Sequence, residues 1–150
     1  MIDGAGFISL ALQLAGSDKE ERLRTSVSRA YYGAYHIVRS LFESCGVLVP
    51  RRDIHNKLQW GLEQCGEKMG HQDPMEIGSK LGSLRSERNR ADYNLEDATY
   101  SKQSSTMLAV AMAQQIVDVL ATMRSDAELA HLRPHVRNFA QQQGWPLRSS

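Results

Sequence analysis

The spacing of the apolar residues limits the fold of this chain more than any other feature, because the spacing is helical almost everywhere. The clearest stretch covers residues 18–45, where apolar side chains recur three or four positions apart. No stretch sustains the alternation of a half-buried strand over more than a few residues. The sequence therefore predicts an all-α protein. The stripe of the longest helix reads Leu23, Val27, Ala30, Ala34, Ile37 and Leu41.

Capping residues and helix breakers divide this pattern into an antiparallel bundle of about five helices. We expect a loop at 66–74, and we expect Pro134 to interrupt any helix that continues past it. A short helix around 135–143 and a loose tail would then follow, so that residues 1–128 form the bundle and 129–150 a C-terminal appendage. The expected helices cover residues 6–15, 17 or 18 to 45, 53–65, 73 through the segment 85–93, and 102–128.

Size and composition are those of an ordinary globular domain. The 150 residues are 41% hydrophobic and 23% charged, which excludes a wholly disordered chain. The formal net charge of +1 gives no general attraction to nucleic acid or membrane, so any basic site must be local. We find no apolar run near the roughly 18 residues of a membrane span and no basic segment typical of a secretory signal. The expectation is a cytoplasmic protein without a membrane partner.

The two cysteines are separated by 20 positions and have no metal-ligand spacing around them. Reduced, partly buried thiols at Cys45 and Cys65 are the favoured interpretation. A structural disulfide between them is the less favoured alternative.

The segment RSERNRADY, residues 85–93, places an arginine on the apolar stripe of its helix, because Arg88 follows Leu84 by four positions. A guanidinium does not lose its proton at neutral pH, so Arg88 must find acceptors or line a cleft open to water. Asp92, four positions on, is the nearest acceptor, and Arg85 shares the same side, whereas Arg90 points elsewhere. Two interpretations follow: an Arg-Asp clamp between helices, or a phosphate-binding groove.

The segment SRAYYGAYH in the long helix offers a second group of polar side chains. Arg29, Tyr32 and His36 share one face, while Tyr31 and Tyr35 form a pair four positions apart. One interpretation is an aromatic packing layer whose hydroxyls bind buried partners. The other is a wall that stacks bases or contacts phosphate, which requires arginines opposite it.

Three segments together, RLRTSVSRAYYGAYHIVRSLF, RRDIHNKL and LRSERNRADY, resemble the small stand-alone branch of the HEPN superfamily over roughly residues 5–125. The resemblance implies an antiparallel helical bundle that is usually a homodimer. Many members are metal-independent endoribonucleases, toxins paired with nucleotidyltransferase-type antitoxins, or defence proteins; others have no shown activity. The ligand implied is RNA or a nucleotide, with no metal and no cofactor.

The family's nucleases carry an arginine, a polar residue directly after it, and a histidine four to six residues further on. The first two positions correspond to Arg88 and Asn89, but the histidine position is occupied by Tyr93. With a reference pKa near ~10, tyrosine is a poor base at neutral pH, although it can donate a proton or a hydrogen bond. His36, or His55 at the start of the third helix, remains as a candidate base.

Three hypotheses result, and the sequence leaves open whether the protein is an enzyme. The first is a ribonuclease in which Arg88 binds the scissile phosphate, Asn89 orients it, and Tyr93 and His36 transfer protons or donate hydrogen bonds. The second is a non-catalytic HEPN module that binds RNA, a nucleotide or a protein, and the third is a dimer-forming bundle. The missing histidine favours the last two. The candidate phosphate- or ligand-binding residues are Arg85, Arg29, Tyr32, Asp92 and His55.

Overall fold

The structure, a computed structural model, describes residues 3–149 and is an all-α helical bundle, which confirms the predicted fold class. Within that range it contains six α-helices and one 3-10 helix, Ala98–Ser101, and the only β-type pairing is an isolated bridge between Val47 and Leu147. The α-helices are α1 (Gly4–Leu14), α2 (Glu20–Ser44), α3 (His55–Met69), α4 (Gln72–Tyr93), α5 (Gln103–Thr122) and α6 (Asp126–Gln142).

The chain divides into two compact units, each built from two stretches of sequence. The first unit comprises residues 3–37 and 80–117, and the second comprises 38–79 and 118–149. The sequence predicted a bundle at residues 1–128 and an appendage at 129–150. Residues 1–2 of the first segment and residue 150 of the second lie outside the described residues.

The core of the first unit follows the predicted stripes. In α2 the stripe residues of this unit are fully buried except Ile37, which is half-buried. In α4, Leu84 and Ala91 are buried on either side of Arg88. Leu95 is an exception, since it is 71% exposed and lies beyond the end of α4 at Tyr93. The stripe therefore ends one turn earlier than predicted.

Helices α1 and α2 approach each other closely through two glycines. Asp3 caps α1 by accepting a hydrogen bond from the Gly6 amide at 3.0 Å. A Cβ atom on Gly33 would lie 2.7 Å from the carbonyl oxygen of Gly4 and 2.5 Å from the Ile8 side chain. Side-chain-free positions are thus required where the two backbones meet.

In the second unit, α3 continues to Met69, so most of the loop predicted at 66–74 is helical. The helix ends at Gly70, which has a left-handed φ of 63° that glycine adopts without strain. Only residues 70–71 separate α3 from α4. The predicted loop begins at Gly66, but this glycine lies inside α3 and permits close packing, because a Cβ there would meet the His71 carbonyl oxygen at 2.8 Å.

The C-terminal region is also more ordered than predicted. Helix α6 runs through Pro134, which was expected to interrupt it, and its N-cap Ser125 accepts a hydrogen bond from the Glu128 amide. Pro134 lies on the exposed side, whereas Leu132 and Val136 are buried. Burial of this apolar face outweighs the cost of one proline, of order 3 kcal/mol.

The segment after α6 is not a loose tail. Trp145 is 6% exposed and packs its ring against those of Phe42 and Phe139, with centroids 6.4 and 5.8 Å away. The Leu48 amide donates to the Pro146 carbonyl at 2.8 Å. These contacts anchor the end of the chain within the second unit.

Helix α5 is the one helix in the described residues that is long and apolar enough to cross a membrane by length and composition, which the sequence analysis had not expected. Core helices of soluble proteins pass the same test. Of its residues in the first unit, Val110, Ala113 and Ile116 are buried in the core.

Candidate functional site

The candidate site is centred on Arg88, which is 8% exposed. Its guanidinium carbon lies over three tyrosine rings, 5.3 Å from the centroid of Tyr31, 5.2 Å from that of Tyr32 and 5.8 Å from that of Tyr93. The first two rings come from α2 and the third from the end of α4. Aromatic faces attract a cation, and they form the walls around this one.

Arg29 and Arg88 contact the same aromatic ring, because the guanidinium carbon of each lies over Tyr32. The guanidinium carbon of Arg29 is 5.4 Å from the Tyr32 centroid and 5.3 Å from that of Phe7 on α1. The predicted facing arrangement of α2 aromatics and α4 arginine is therefore present. We call the group formed by Arg29, Arg85, Arg88 and their aromatic neighbours the arginine cluster.

Of the three arginines of this cluster, only Arg88 pairs with a carboxylate among residues 3–149. The carboxylate belongs to Asp92, whose oxygen lies 3.8 Å from an Nη atom of Arg88. Asp92 also accepts a hydrogen bond from the Ser28 hydroxyl at 3.3 Å. Both distances are long, so Asp92 is a weak partner, and the Arg-Asp clamp considered from the sequence is present only in a loose form.

All three arginines have an unsatisfied donor. The Nε atoms of Arg29, Arg85 and Arg88 are buried and have no hydrogen-bond partner within the described part of the chain. Leaving a buried donor of a charged group unpaired costs of order 1–3 kcal/mol or more. Three positive charges against one carboxylate, with three unpaired N–H groups, make the cluster complementary to an anion.

Tyr31 does not supply the missing negative charge. Burial raises the pKa of Tyr31 well above its usual value, and the positive charges of Arg85 and Arg88 offset only part of this rise. Tyr31 is therefore a neutral phenol at pH 7. The excess positive charge of the cluster remains.

Asn89 and Tyr93, two other predicted site residues, are exposed, in contrast to the buried Arg88. Asn89 is exposed on α4, and its side chain makes no hydrogen bond within residues 3–149. Tyr93 is 76% exposed and accepts a hydrogen bond of 3.5 Å from an Nη atom of Arg88. Tyr93 thus touches the cluster, whereas Asn89 is only its neighbour in sequence.

His36 joins the cluster through aromatic contacts. Its ring stacks on that of Phe7, with 5.6 Å between the ring centroids and an interplanar angle of 17°. It packs edge to face with the Tyr35 ring, with 5.2 Å between the centroids. His36 is exposed to solvent. His55, the other candidate base, is the first residue of α3 and belongs to the second unit, whereas the arginine cluster is built from residues of the first.

Two residues of the site were missed by the sequence analysis. Phe7 lies on a separate helix, α1, and nothing in the spacing along that helix relates it to Arg29 on α2. Arg24 had a usable signal, because it lies seven positions before Tyr31 and four before Ser28 on the side of α2 that faces α4.

Arg24 holds the end of α4 in place. It is 7% exposed, and its Nε donates to the Glu20 carboxylate at 2.8 Å. Its two Nη atoms donate to backbone carbonyls at and after the C-terminus of α4, which otherwise have no partners in the helix. The closest of these acceptors are the carbonyl oxygens of Ala91 at 2.9 Å, Asn94 at 3.0 Å and Asp97 at 2.6 Å.

Within residues 3–149 no group of three His, Cys, Asp or Glu side chains lies close enough together to hold a metal ion. Comparison of the chain with protein-family models, with curated proteins and with solved structures gave no match.

Proposed function

We propose that this chain is a HEPN-like protein that binds the phosphate of RNA or of a nucleotide in the arginine cluster. One observation carries the proposal: Arg29, Arg85 and Arg88 have buried, unpaired Nε groups, and among the described residues only Arg88 has a carboxylate partner, the weakly paired Asp92. A phosphate offers several acceptor oxygens and a negative charge, and a guanidinium fork matches its geometry. The same groups would stabilise charge on a phosphorane during RNA cleavage.

In this proposal the protein is a component of a cytoplasmic toxin-antitoxin or defence system. Metal-independent endoribonuclease activity would use Arg88 as the phosphate-binding cation. His36 would be the base, because it is exposed and shares Phe7 with Arg29. Tyr93 would donate a hydrogen bond or proton, and Asn89, exposed beside Arg88, would contact the ligand. The antitoxin would be of the nucleotidyltransferase type.

The alternative function is a non-catalytic module for interaction or dimerisation. The motif position of the nuclease histidine is occupied by Tyr93, which favours ligand binding without cleavage.

A homodimer is part of both versions. In the first unit, α1 and residues 103–117 of α5 contain no charged residue, and Leu12 and Leu108 are 56% and 71% exposed. A groove of about 170 Å³ lies between the two helices, with Leu12 and Val117 in its lining. An uncharged apolar surface of this kind fits a second copy of itself.

The test measures binding and cleavage of single-stranded RNA in the presence of a chelator. The variants are Arg88→Ala and His36→Ala, with Arg22→Ala as a matched control, because Arg22 is exposed on the same helix as Arg29 and outside the cluster. We expect Arg88→Ala to weaken binding at least tenfold, since it removes the most buried cation of the arginine cluster, and Arg22→Ala to change binding by less than about twofold.

The cleavage result separates the two functions. Cleavage by the wild type that is lost in both Arg88→Ala and His36→Ala supports the ribonuclease. Binding that depends on Arg88 without cleavage in any variant supports the non-catalytic module. Absence of RNA and phosphate binding in the wild type contradicts both.

A further inference from the structure

Tyr93 combines an exposed ring with a fixed backbone. It is the last residue of α4 and is 76% exposed, yet its ring centroid lies only 5.8 Å from the Arg88 guanidinium carbon. A single exposed aromatic residue needs no explanation in general. This one borders a cluster of cations that lack an anion, so its environment is not that of an ordinary surface residue.

The chain on both sides of Tyr93 is tied to Arg24. The Arg24 guanidinium is itself buried and pairs with Glu20. The backbone around Tyr93 is therefore fixed by hydrogen bonds, although the Tyr93 ring is open to solvent. Fixing this backbone costs conformational entropy, and packing of the exposed Tyr93 ring does not offset that cost. The carbonyl acceptors of Arg24 around Tyr93 are those of Arg90, Ala91, Asn94, Leu95 and Asp97.

The ring, rather than the hydroxyl, is the part of Tyr93 that the structure positions. The hydroxyl accepts one hydrogen bond from Arg88, at the long distance of 3.5 Å. One side of the ring covers the guanidinium, and the exposure of the residue leaves other ring surface available to a ligand. An aromatic face beside a phosphate-binding cation is the arrangement with which proteins bind unpaired bases.

We propose that Tyr93 is a stacking platform for the base of a nucleotide whose phosphate is bound by Arg88, so that the ligand of the site is a single-stranded nucleic acid. The inference rests on the proposed function and specifies its substrate class. In a duplex the bases are stacked on one another and cannot reach the ring, so pairing should weaken binding.

The experiment compares Tyr93→Phe with Tyr93→Leu in fluorescence anisotropy with a labelled single-stranded RNA and with the same RNA annealed to its complement. Phenylalanine keeps the ring and leucine does not. We expect Tyr93→Phe to bind within about twofold of the wild type and Tyr93→Leu to bind about tenfold more weakly. The wild type should prefer the single strand. Leu95→Ala, at a residue 71% exposed on the same segment, should leave binding unchanged.

Stabilisation by inorganic phosphate in thermal unfolding is measured on the same variants. Tyr93→Leu should retain it, because the phosphate contacts of the arginines remain. Equal RNA affinity of Tyr93→Leu and the wild type overturns the inference and assigns the exposed ring to a protein surface. Equal losses in Tyr93→Phe and Tyr93→Leu overturn it in favour of the hydroxyl. Neither result affects phosphate binding through Arg88, whose absence would instead contradict the proposed function.

Discussion

At the scale of single residues, Arg88 is a buried cation whose hydrogen-bonding groups are not all satisfied, unlike Arg24, whose guanidinium donates to a carboxylate and to several backbone carbonyls. The neighbours of Arg88 on the α4 stripe are aliphatic, yet a cation occupies the position and keeps an unpaired Nε group. A methionine would fill similar space without that cost. Departures of this kind are expected at functional sites, where binding of a ligand restores the missing interactions.

The position of Arg88 could be predicted from the helical period, but its partners could not. Its burial and its weak pairing with Asp92 follow from spacings of four within one helix. Phe7 belongs to another helix, so its contact with Arg29 depends on how α1 packs, which spacing does not encode. The exposed state of Asn89 is likewise set by the rotation of α4 about its axis.

The cysteines give a prediction at this scale. Both thiols are free and at most 2% exposed, as the favoured interpretation expected. Burial raises the pKa of Cys45 to about 11 and that of Cys65 to about 12. Because only the thiolate reacts, we expect neither Cys45 nor Cys65 to react with a thiol reagent in the native protein at pH 8 over minutes, and both to react in denaturant. Titration with a chromogenic disulfide measures this, and fast reaction of either native thiol would contradict the packing.

At the scale of helices, the sequence predicted the existence of elements better than their ends. The period of the apolar residues predicted α2. The acidic residues Glu20 and Glu21 lie in its first turn, as is typical of a helix start. The errors concern Gly66 and Pro134, whose effects depend on tertiary packing. Gly66 allows a close contact with α4, and Pro134 lies on the exposed side of α6. Local breaker rules carry no information about either.

The contact between α1 and α2 gives a prediction for an element. Gly33→Ala would place a Cβ 2.7 Å from the backbone of Gly4, so α1 must shift away from α2. We expect a loss of about 1–3 kcal/mol in the free energy of unfolding, as for other overpacked sites. Urea denaturation monitored by circular dichroism measures the loss.

Gly16→Ala is the matched control, because its Cβ would meet nothing nearer than the Gln13 carbonyl at 3.8 Å. Its stability should stay the same or rise by up to about 1 kcal/mol, since alanine reduces the freedom of the unfolded chain. If Gly33→Ala were as stable as Gly16→Ala, the close approach of the two helices would be incorrect.

At the scale of the whole molecule, the arginine cluster is a strongly unbalanced site in a near-neutral chain. The 18 basic and 17 acidic residues almost cancel, so no general field attracts nucleic acid. Under the proposed function, ligand binding therefore depends on the buried cations of the arginine cluster rather than on net charge. Exchange of the exposed Arg22 for a neutral residue should change binding by less than about twofold, whereas exchange of Arg88 should weaken binding at least tenfold.

The most direct measurement of this central claim is thermal unfolding in sodium phosphate and in sodium chloride of equal ionic strength, for the wild type and for Arg88→Met. Methionine keeps the apolar contacts, so we expect the stability of the variant in chloride to lie within about 1 kcal/mol of the wild type. Phosphate should raise the midpoint of the wild type by about 2–4 °C for each kcal/mol of binding free energy, and should leave that of Arg88→Met unchanged. An equal rise in both proteins, or no rise in the wild type, would contradict the assignment of Arg88 as the anion-binding residue.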